Sequence, residues 1–187
     1  MPEGLVATIA PSEFLDLVEF LGNLYTDDDN WVATGRADQG ELRKHGQFEE
    51  ISRDAKIRIR PDFPRIWNKN VNLTLSAAEV GKREFAFHSP QPAIANPHVE
   101  IKLAAEAEVR HIKLLNRRNK GFYSRAAGLT VWTSMDGKDW QRVWKAKEPA
   151  AQYEVDLPAG TKAQYLKVGL DKKGIFHLNQ IVVFGKK

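Results

Sequence analysis

From Lys56 onward, apolar and polar residues alternate with a period of two, and this feature constrains the fold more than any other. The segment K-I-R-I-R opens the pattern, and Val99–Leu103 repeats it as V-E-I-K-L. Such alternation is typical of a β-strand with one buried face, because successive side chains of a strand point to opposite sides. The same reasoning predicts further strands at 71–75, 85–87, 109–115, 129–133, 140–144, 153–157, 165–170 and 181–184.

The connections between these strands are short and rich in glycine, proline and aspartate. The segment S-M-D-G-K-D-W places Asp136-Gly137 at the tip of a hairpin turn. No helical pattern separates the strands, so a parallel sheet with crossover helices is not expected. The sequence therefore predicts an all-β fold, an antiparallel β-sandwich with a short N-terminal helical extension.

The N-terminal part of the chain has a different character. Residues 1–25 carry an apolar stripe at helical spacing, which predicts an amphipathic helix over Pro11–Leu24. Residues 26–55 are polar and predict a linker, with a short helix around Asp38–Ile51 as the alternative to coil. The predicted organisation is thus a helical segment at 1–25, a linker at 26–55 and the sandwich at 56–187.

Composition excludes several functional classes. The chain has no cysteine, which excludes disulfides, thiolate nucleophiles and zinc–thiolate sites. Its net charge of +4 is scattered without a basic block, so no nucleic-acid partner is predicted. No apolar run reaches membrane-spanning length, and the N-terminus lacks the basic and apolar regions of a signal peptide. We therefore expect no membrane insertion.

Three segments along the chain read F-H-S-P-Q-P-A-I-A-N-P-H, V-R-H-I-K-L-L-N-R-R-N and S-M-D-G-K-D-W. They resemble the discoidin-like superfamily, which includes coagulation-factor C-type domains, family 32 carbohydrate-binding modules and F-type lectins. The closing segment H-L-N-Q-I-V-V-F-G is similar to the last strands of that family. The resemblance covers roughly residues 85–187 and implies a jelly-roll sandwich of the galactose-binding-domain type.

The resemblance to F-type lectins implies a sugar site. In those lectins a histidine before the N-P pair and two later arginines hold the sugar, which here implies His88, Arg117 and Arg125. The lectin pattern has an aspartate two positions after the first arginine, where this chain has Asn119. The acidic calcium loop expected before His88 has no counterpart, so the fold carries over more completely than fucose specificity.

The chemistry of these side chains fits a polar ligand. An arginine offers a rigid fork of donors for two neighbouring hydroxyls, and a neutral imidazole donates or accepts at a third. Phe122 and Tyr123 follow in the loop N-K-G-F-Y-S and offer apolar contact to the C–H face of a sugar. The structural alternative is that Arg117 pairs with a carboxylate such as Glu100, while Arg125 braces a loop.

The remaining histidines are not spaced as metal ligands. His98 and His111 lie within strand patterns, where a surface position or a hydrogen-bonded core position is the ordinary interpretation. His177 lies in a loop beside the last strand and could approach the same end of the sandwich as His88. No nucleophile elbow, H-E-x-x-H motif or carboxylate pair is identifiable, so no catalytic residue and no metal site are predicted.

Together these features favour a non-catalytic carbohydrate-binding module of a larger exported bacterial protein, located outside the cell or in the periplasm. Its partner would be a glycan or another polar ligand. The alternative is a protein–protein docking or spacer domain. The chain starts with M-P-E-G-L, followed by S-E-F-L-D-L-V-E-F-L, and this start resembles the tail of a bacterial c-type cytochrome domain. In this alternative, the spacer domain would be attached to a redox protein. Without C-x-x-C-H, the chain has no covalent haem anchor of its own.

No cofactor is predicted, and calcium is the possibility that experiment can test. Calcium takes about six to eight oxygen ligands from carboxylates, carbonyls and water. The region expected to supply them, Asn70–Lys82, contains Glu79 as its single acid. We therefore expect millimolar calcium to leave the melting temperature unchanged in differential scanning fluorimetry, with magnesium as the control. A rise of several degrees that is specific to calcium would contradict this expectation.

Overall fold

The computed structural model describes residues 31–33, 43–60, 84–89 and 92–187. Contacts divide the chain into Met1–Trp31 and Val32–Lys187, and every element below belongs to the second unit. The predicted helix at 11–24, the predicted strand at 71–75 and the candidate calcium region lie outside the described residues. Within the described residues, no helix combines the length and the hydropathy needed to cross a membrane.

The described part of the chain is built from strands and one short 3-10 helix, Lys120–Ala126. The strands are β1 (Val32–Ala33), β2 (Lys44–His45), β3 (Phe48–Glu50), β4 (Lys56–Arg60), β5 (Phe87–His88), β6 (His98–Leu115), β7 (Leu129–Ser134), β8 (Gln141–Lys145), β9 (Gln152–Asp156), β10 (Lys162–Leu170), β11 (His177–Leu178) and β12 (Gln180–Lys186). All of their pairings are antiparallel.

Strand β6 is the longest element, because it runs unbroken through a stretch that the sequence predicts as two strands. Its first part pairs with β4 and β10, and its second part pairs with β9 and β12. The register with β10 shifts between the two parts. Ala163 of β10 pairs with Ala107 of β6, and Tyr165, two residues further along β10, pairs with Lys102, five residues back along β6. The unmatched residues of β6 therefore bulge, and the strand passes from one layer to the other at this point.

The two layers share β6. One has the order β1-β4-β6-β10-β7-β8, and the other has the order β2-β3-β12-β6-β9. Strands β5 and β11 form a separate two-stranded sheet. The prediction of an all-β antiparallel sandwich is confirmed.

The core lies between the two layers and draws residues from both. Ile101 on β6 and Val168 on β10 come from the first layer, while Ile112 on β6 and Val183 on β12 come from the second. Strand β9 illustrates why these segments form strands, since Tyr153 and Val155 are buried while the residues between and beside them are exposed. One face of each strand is therefore removed from water, which is the main stabilising contribution in such a fold.

Residues 43–55 differ from the predicted linker. They contain β2 and β3, which form a hairpin through Gly46 at a φ of 58°, and β3 pairs with β12 in the sheet. The alternative of a helix around 38–51 is wrong for the described residues of that range. The linker is predicted because residues 26–55 are polar, yet Glu50 within this range is 3% exposed. Its carboxylate lies 3.5 Å from Arg43 and 3.6 Å from Arg53.

Gly185 provides a test of the packing between β12 and β6. A Cβ at this position would lie 2.2 Å from the backbone oxygen of Glu108 and 2.9 Å from a methyl carbon of Ile51. Because a backbone atom cannot move aside cheaply, we expect Gly185→Ala to lower the free energy of unfolding by about 1–3 kcal/mol. Urea unfolding followed by tryptophan fluorescence measures the change. Lys147→Ala, at an exposed position, is the control, and equal stability of the two variants would contradict the packing described here.

Candidate functional site

Three short segments meet beside the end of β6. Strands β5 and β11 pair so that His88 lies opposite His177. The backbone N–H of Ser89 donates to the carbonyl of Phe176 at 2.7 Å, which extends this pairing. The backbone N–H of Arg118 donates to the carbonyl of Glu84 at 3.1 Å. This bond ties the segment that leads into β5 to the chain that leaves β6.

The 3-10 helix follows directly from that crossing point. Asn119 caps its N-terminus, because the side-chain oxygen accepts a hydrogen bond from the backbone N–H of Gly121 at 3.0 Å. Phe122 and Tyr123 lie within the helix and are half-buried, and Arg125 lies in its last turn. The helix and its N-cap together therefore carry four of the six predicted ligand-binding residues.

The structure brings His88, Arg117, Arg125 and Phe122 together. A guanidinium nitrogen of Arg125 lies 3.4 Å from Nε2 of His88. The guanidinium carbons of Arg117 and Arg125 lie 4.2 Å and 4.5 Å from the centre of the Phe122 ring. Both distances are within the range of cation–π attraction, so this one ring holds both arginines in place.

Arg117 also has a carboxylate partner, though not the one proposed from sequence. Its Nε donates to Oε1 of Glu84 at 2.6 Å. Glu100 instead pairs with Arg58 and lies 3.2 Å from a ring nitrogen of His98. The Arg117 side chain is 14% exposed, so it is more enclosed than a position at the rim of the sandwich suggests.

His177 is the deepest member of the group, at 1% exposed. Its ring centre lies 5.4 Å from that of His88, so the expectation that His177 approaches the end occupied by His88 is confirmed. Neither of its ring nitrogens has a well-formed hydrogen bond in the described part of the chain. Burial is the largest cause that lowers the pKa of His177, and together with the neighbouring His88, Arg117 and Arg125, and against a smaller opposite effect from the backbone of Phe122, it brings that pKa to about 3.

His88 shares this electrostatic environment. Burial lowers its pKa, and the charges of Arg125 and Arg117 act in the same direction, whereas the hydrogen bond of its Nδ1 to the carbonyl of Ser89 acts against them. The same crowding lowers the pKa of Arg125, through burial and through the charge of Arg117. At neutral pH the group therefore contains two neutral imidazoles and two cationic guanidinium groups. This arrangement suits a ligand rich in oxygen atoms.

Sequence reasoning missed Glu84 as a member of the group. Its carboxylate is the acceptor for Arg117, and 43% of its side chain is exposed. The signal available in the sequence was its position four residues before His88, in E-F-A-F-H, where an extended chain places both on one side. Glu84 matters because it adds a hydrogen-bond acceptor to a site otherwise made of donors and imidazoles.

The family-model comparison gives a match over most of the sandwich. The model described as "F5/8 type C domain" matches residues 67–178. None of the curated proteins matches the chain.

Three solved structures with a similar fold are bacterial modules whose descriptions name a sugar or a carbohydrate. A fucose-binding module from Streptococcus pneumoniae, SpX-3, aligns with a TM-score of 0.57 at 16% identity, covering 74% of this chain and 98% of that one. The family 32 carbohydrate-binding module of Streptococcus pneumoniae EndoD aligns with a TM-score of 0.57 at 10% identity, covering 73% and 99%. A Clostridium perfringens module solved with GalNAc-β-1,3-galactose aligns with a TM-score of 0.55 at 14% identity, covering 70% and 95%. At these identities the likeness establishes the fold.

The lowered pKa of His177 predicts a specific pH dependence of stability. The unfolded chain protonates this imidazole near its ordinary pKa of 6.5, whereas the folded chain does so at about 3. The contribution of neutral His177 to the free energy of unfolding is therefore fully present above the pKa of the unfolded chain. It falls as the pH drops below that pKa, by up to about 1.4 kcal/mol per pH unit. We expect His177→Leu to flatten this slope in urea unfolding measured from about pH 7 to about pH 4.5. Equal slopes in the two proteins would show that the folded chain accommodates a protonated His177.

Proposed function

The chain belongs to the F5/8 type C domain family, and from that premise we propose that it is a non-catalytic carbohydrate-binding module. The observation that carries this proposal is the contact group of His88, Arg117, Arg125 and Phe122 beside the end of β6. Loops and short segments at the ends of a sandwich are positioned by rigid strands, which makes them suitable for binding. The sugar-binding modules of similar fold, one of them solved with a disaccharide, support this reading.

Each polar residue would have a distinct part in holding a sugar. The guanidinium groups of Arg117 and Arg125 each present several donors in a plane, which matches pairs of neighbouring hydroxyl oxygens. His88 is kept neutral by its surroundings, so Nε2 can serve as donor or acceptor to a further hydroxyl. Glu84 would accept a hydrogen bond from a sugar hydroxyl, because its carboxylate is partly exposed and can be shared with Arg117.

The two rings would have different parts. Phe122 already contacts both guanidinium groups, so we assign it to orienting the arginines. Tyr123 is the neighbouring half-buried ring and is our candidate for contact with the C–H face of a sugar. Asn119 caps the 3-10 helix through its side-chain oxygen, which leaves its amide N–H groups for a ligand.

The absence of catalysis is part of the proposal. Glycoside hydrolysis ordinarily needs a pair of carboxylates on either side of the scissile bond. Among the described residues, Glu84 is the carboxylate in contact with this group, through Arg117. The structural relatives are binding modules, which supports the same view and suggests that this domain tethers a larger exported bacterial protein to glycans.

Arg117 provides the direct test of sugar binding. A glycan array identifies a ligand, and calorimetry with that glycan then compares the variants. We expect Arg117→Ala to weaken binding by about tenfold to a hundredfold, because each charge-assisted hydrogen bond is worth about 1.5–3 kcal/mol. Arg117→Lys is expected to recover little, since lysine lacks the planar fork.

Arg110 is the matched control for this experiment. It also pairs with a glutamate, Glu108 at 3.1 Å, and its guanidinium carbon lies 5.0 Å from the ring centre of Phe48. Arg110→Ala should lose a comparable ion pair and ring contact but keep glycan affinity. If Arg117→Ala lowers the melting temperature and leaves glycan binding intact, the arginine braces the fold and the proposed site is wrong. That result would favour the docking or spacer alternative.

A further inference from the structure

A second group of polar side chains lies on the outer face of the other layer, away from the β5–β11 sheet in sequence and in strand pairing. It consists of His45 on β2, His111 on β6, and Glu154 and Asp156 on β9. Strand pairing places His111 directly opposite Asp156 on β9, and opposite Phe184 on β12. Three strands that are distant in sequence therefore bring two imidazoles and two carboxylates together.

His111 contacts a carboxylate through each of its ring nitrogens. Nδ1 lies 2.7 Å from Oδ1 of Asp156, and Nε2 lies 2.7 Å from Oε2 of Glu154. The ring itself is 2% exposed, whereas the Asp156 side chain is 83% exposed. A neutral imidazole has one N–H, so it can donate to only one of these carboxylates and must turn a lone pair toward the other.

His45 packs against the face of the His111 ring. Its ring stacks on that of His111 with the centres 3.6 Å apart and the planes at 4°. One ligand atom each from His45, His111 and Asp156 can be chosen so that all three lie within 4.8 Å of one another. Two imidazole nitrogens and a carboxylate oxygen form a donor set that divalent transition metals prefer.

We propose that His45, His111 and Asp156 bind a divalent transition-metal ion of the zinc class. In this site Nδ1 of His111 and a carboxylate oxygen of Asp156 are ligands from neighbouring strands, and His45 supplies the third ligand from the β2–β3 hairpin. Three protein ligands leave a fourth position for water or another small ligand. The ion also removes the conflict at His111, because the lone pair on Nδ1 then faces a cation.

Glu154 has the position of an outer carboxylate that orients a metal-binding histidine. Histidine ligands ordinarily donate their second N–H to a carboxylate or carbonyl, which fixes the tautomer and the direction of the ring. Here Nε2 of His111 would donate to Oε2 of Glu154. The other oxygen of that carboxylate is held by Gln152 and lies 3.5 Å from Nζ of Lys113, so Glu154 is itself fixed.

Binding the ion requires the side chains to rearrange, because the stacked rings of His45 and His111 direct their lone pairs along parallel planes and not toward one point. Tetrahedral zinc with bonds of about 2.0–2.1 Å requires ligand atoms about 3.3 Å apart. The exposed Asp156 carboxylate would therefore move outward, and the exposed His45 ring would tilt out of the stack until one of its nitrogens faces the ion. Both side chains face solvent, and His111 keeps the position that its strand and Glu154 give it. Binding would thus cross-link the β2–β3 hairpin to β6 and β9.

Calorimetry with zinc chloride on the untagged full chain, after removal of metal by a chelator, tests the site. We expect saturable binding of one Zn²⁺ per chain. His45→Ala and Asp156→Asn should each weaken binding by about a hundredfold or more, and Glu154→Gln by about tenfold to a hundredfold. His98→Ala and Asp171→Asn, a histidine and an aspartate outside the group, should keep the affinity of the unaltered chain.

Two further readouts distinguish a metal site from a simple ion-paired histidine. Co²⁺ should give the visible absorption of a nitrogen- and oxygen-ligated ion, and Zn²⁺ should raise the melting temperature, because an ion that binds only the folded chain stabilises it. Both effects should vanish in the His45→Ala/Asp156→Asn double variant, whose altered side chains are both exposed. If the chain binds no Zn²⁺, or if the double variant binds it as tightly as the unaltered chain, His111 is simply held by two carboxylates and the proposal is wrong.

Discussion

The continuity of β6 is the constraint on which the rest of the structure depends. This strand has 18 residues, about three times the usual length, and it pairs with β4 and β10 in one layer and with β9 and β12 in the other. Because one backbone serves both layers, the register of each layer fixes that of the other. A shift of one residue would turn Ile101 and Ile112 out of the core together. The bulge between Ala107 and Lys102 lets a single strand make this passage.

The candidate sugar site is a consequence of where β6 ends. Arg117 follows the strand almost directly, and the 3-10 helix that begins three residues later brings Arg125 back toward it. Burial and the neighbouring His88, Arg117 and Arg125 depress the pKa of His177, so the fold opposes protonation of this imidazole. Shifted pKa values cluster at functional sites, which supports the binding role proposed for this group.

The second polar group depends on the same strand but on its outer face. His111 lies on β6, before the strand ends and Arg117 follows, and its environment comes from β9 and from the β2–β3 hairpin. The hairpin is held to the sheet by the pairing of β3 with β12 and by the buried Glu50. A metal ion at this position would cross-link the β2–β3 hairpin to the sheet, where the backbone pairing between β3 and β12 is short. The two sites therefore share a scaffold but use different side chains and different chemistry, and neither requires the other.

The amino-acid sequence by itself determined where many of the strands form and which chemical groups they carry, because burial alternates locally along strands such as β9. The observed β4, Lys56–Arg60, begins where the alternation begins, and β7 and β9 lie within one residue of their predicted bounds. The resemblance to lectins also selected His88, Arg117 and Arg125, which the fold then brought together. Only the tertiary structure decided that two predicted strands are one, that β2 and β3 join the sheet, and that Glu84 enters the site. These features depend on hydrogen bonds to partner strands and on contacts between residues far apart in sequence, which no local pattern encodes.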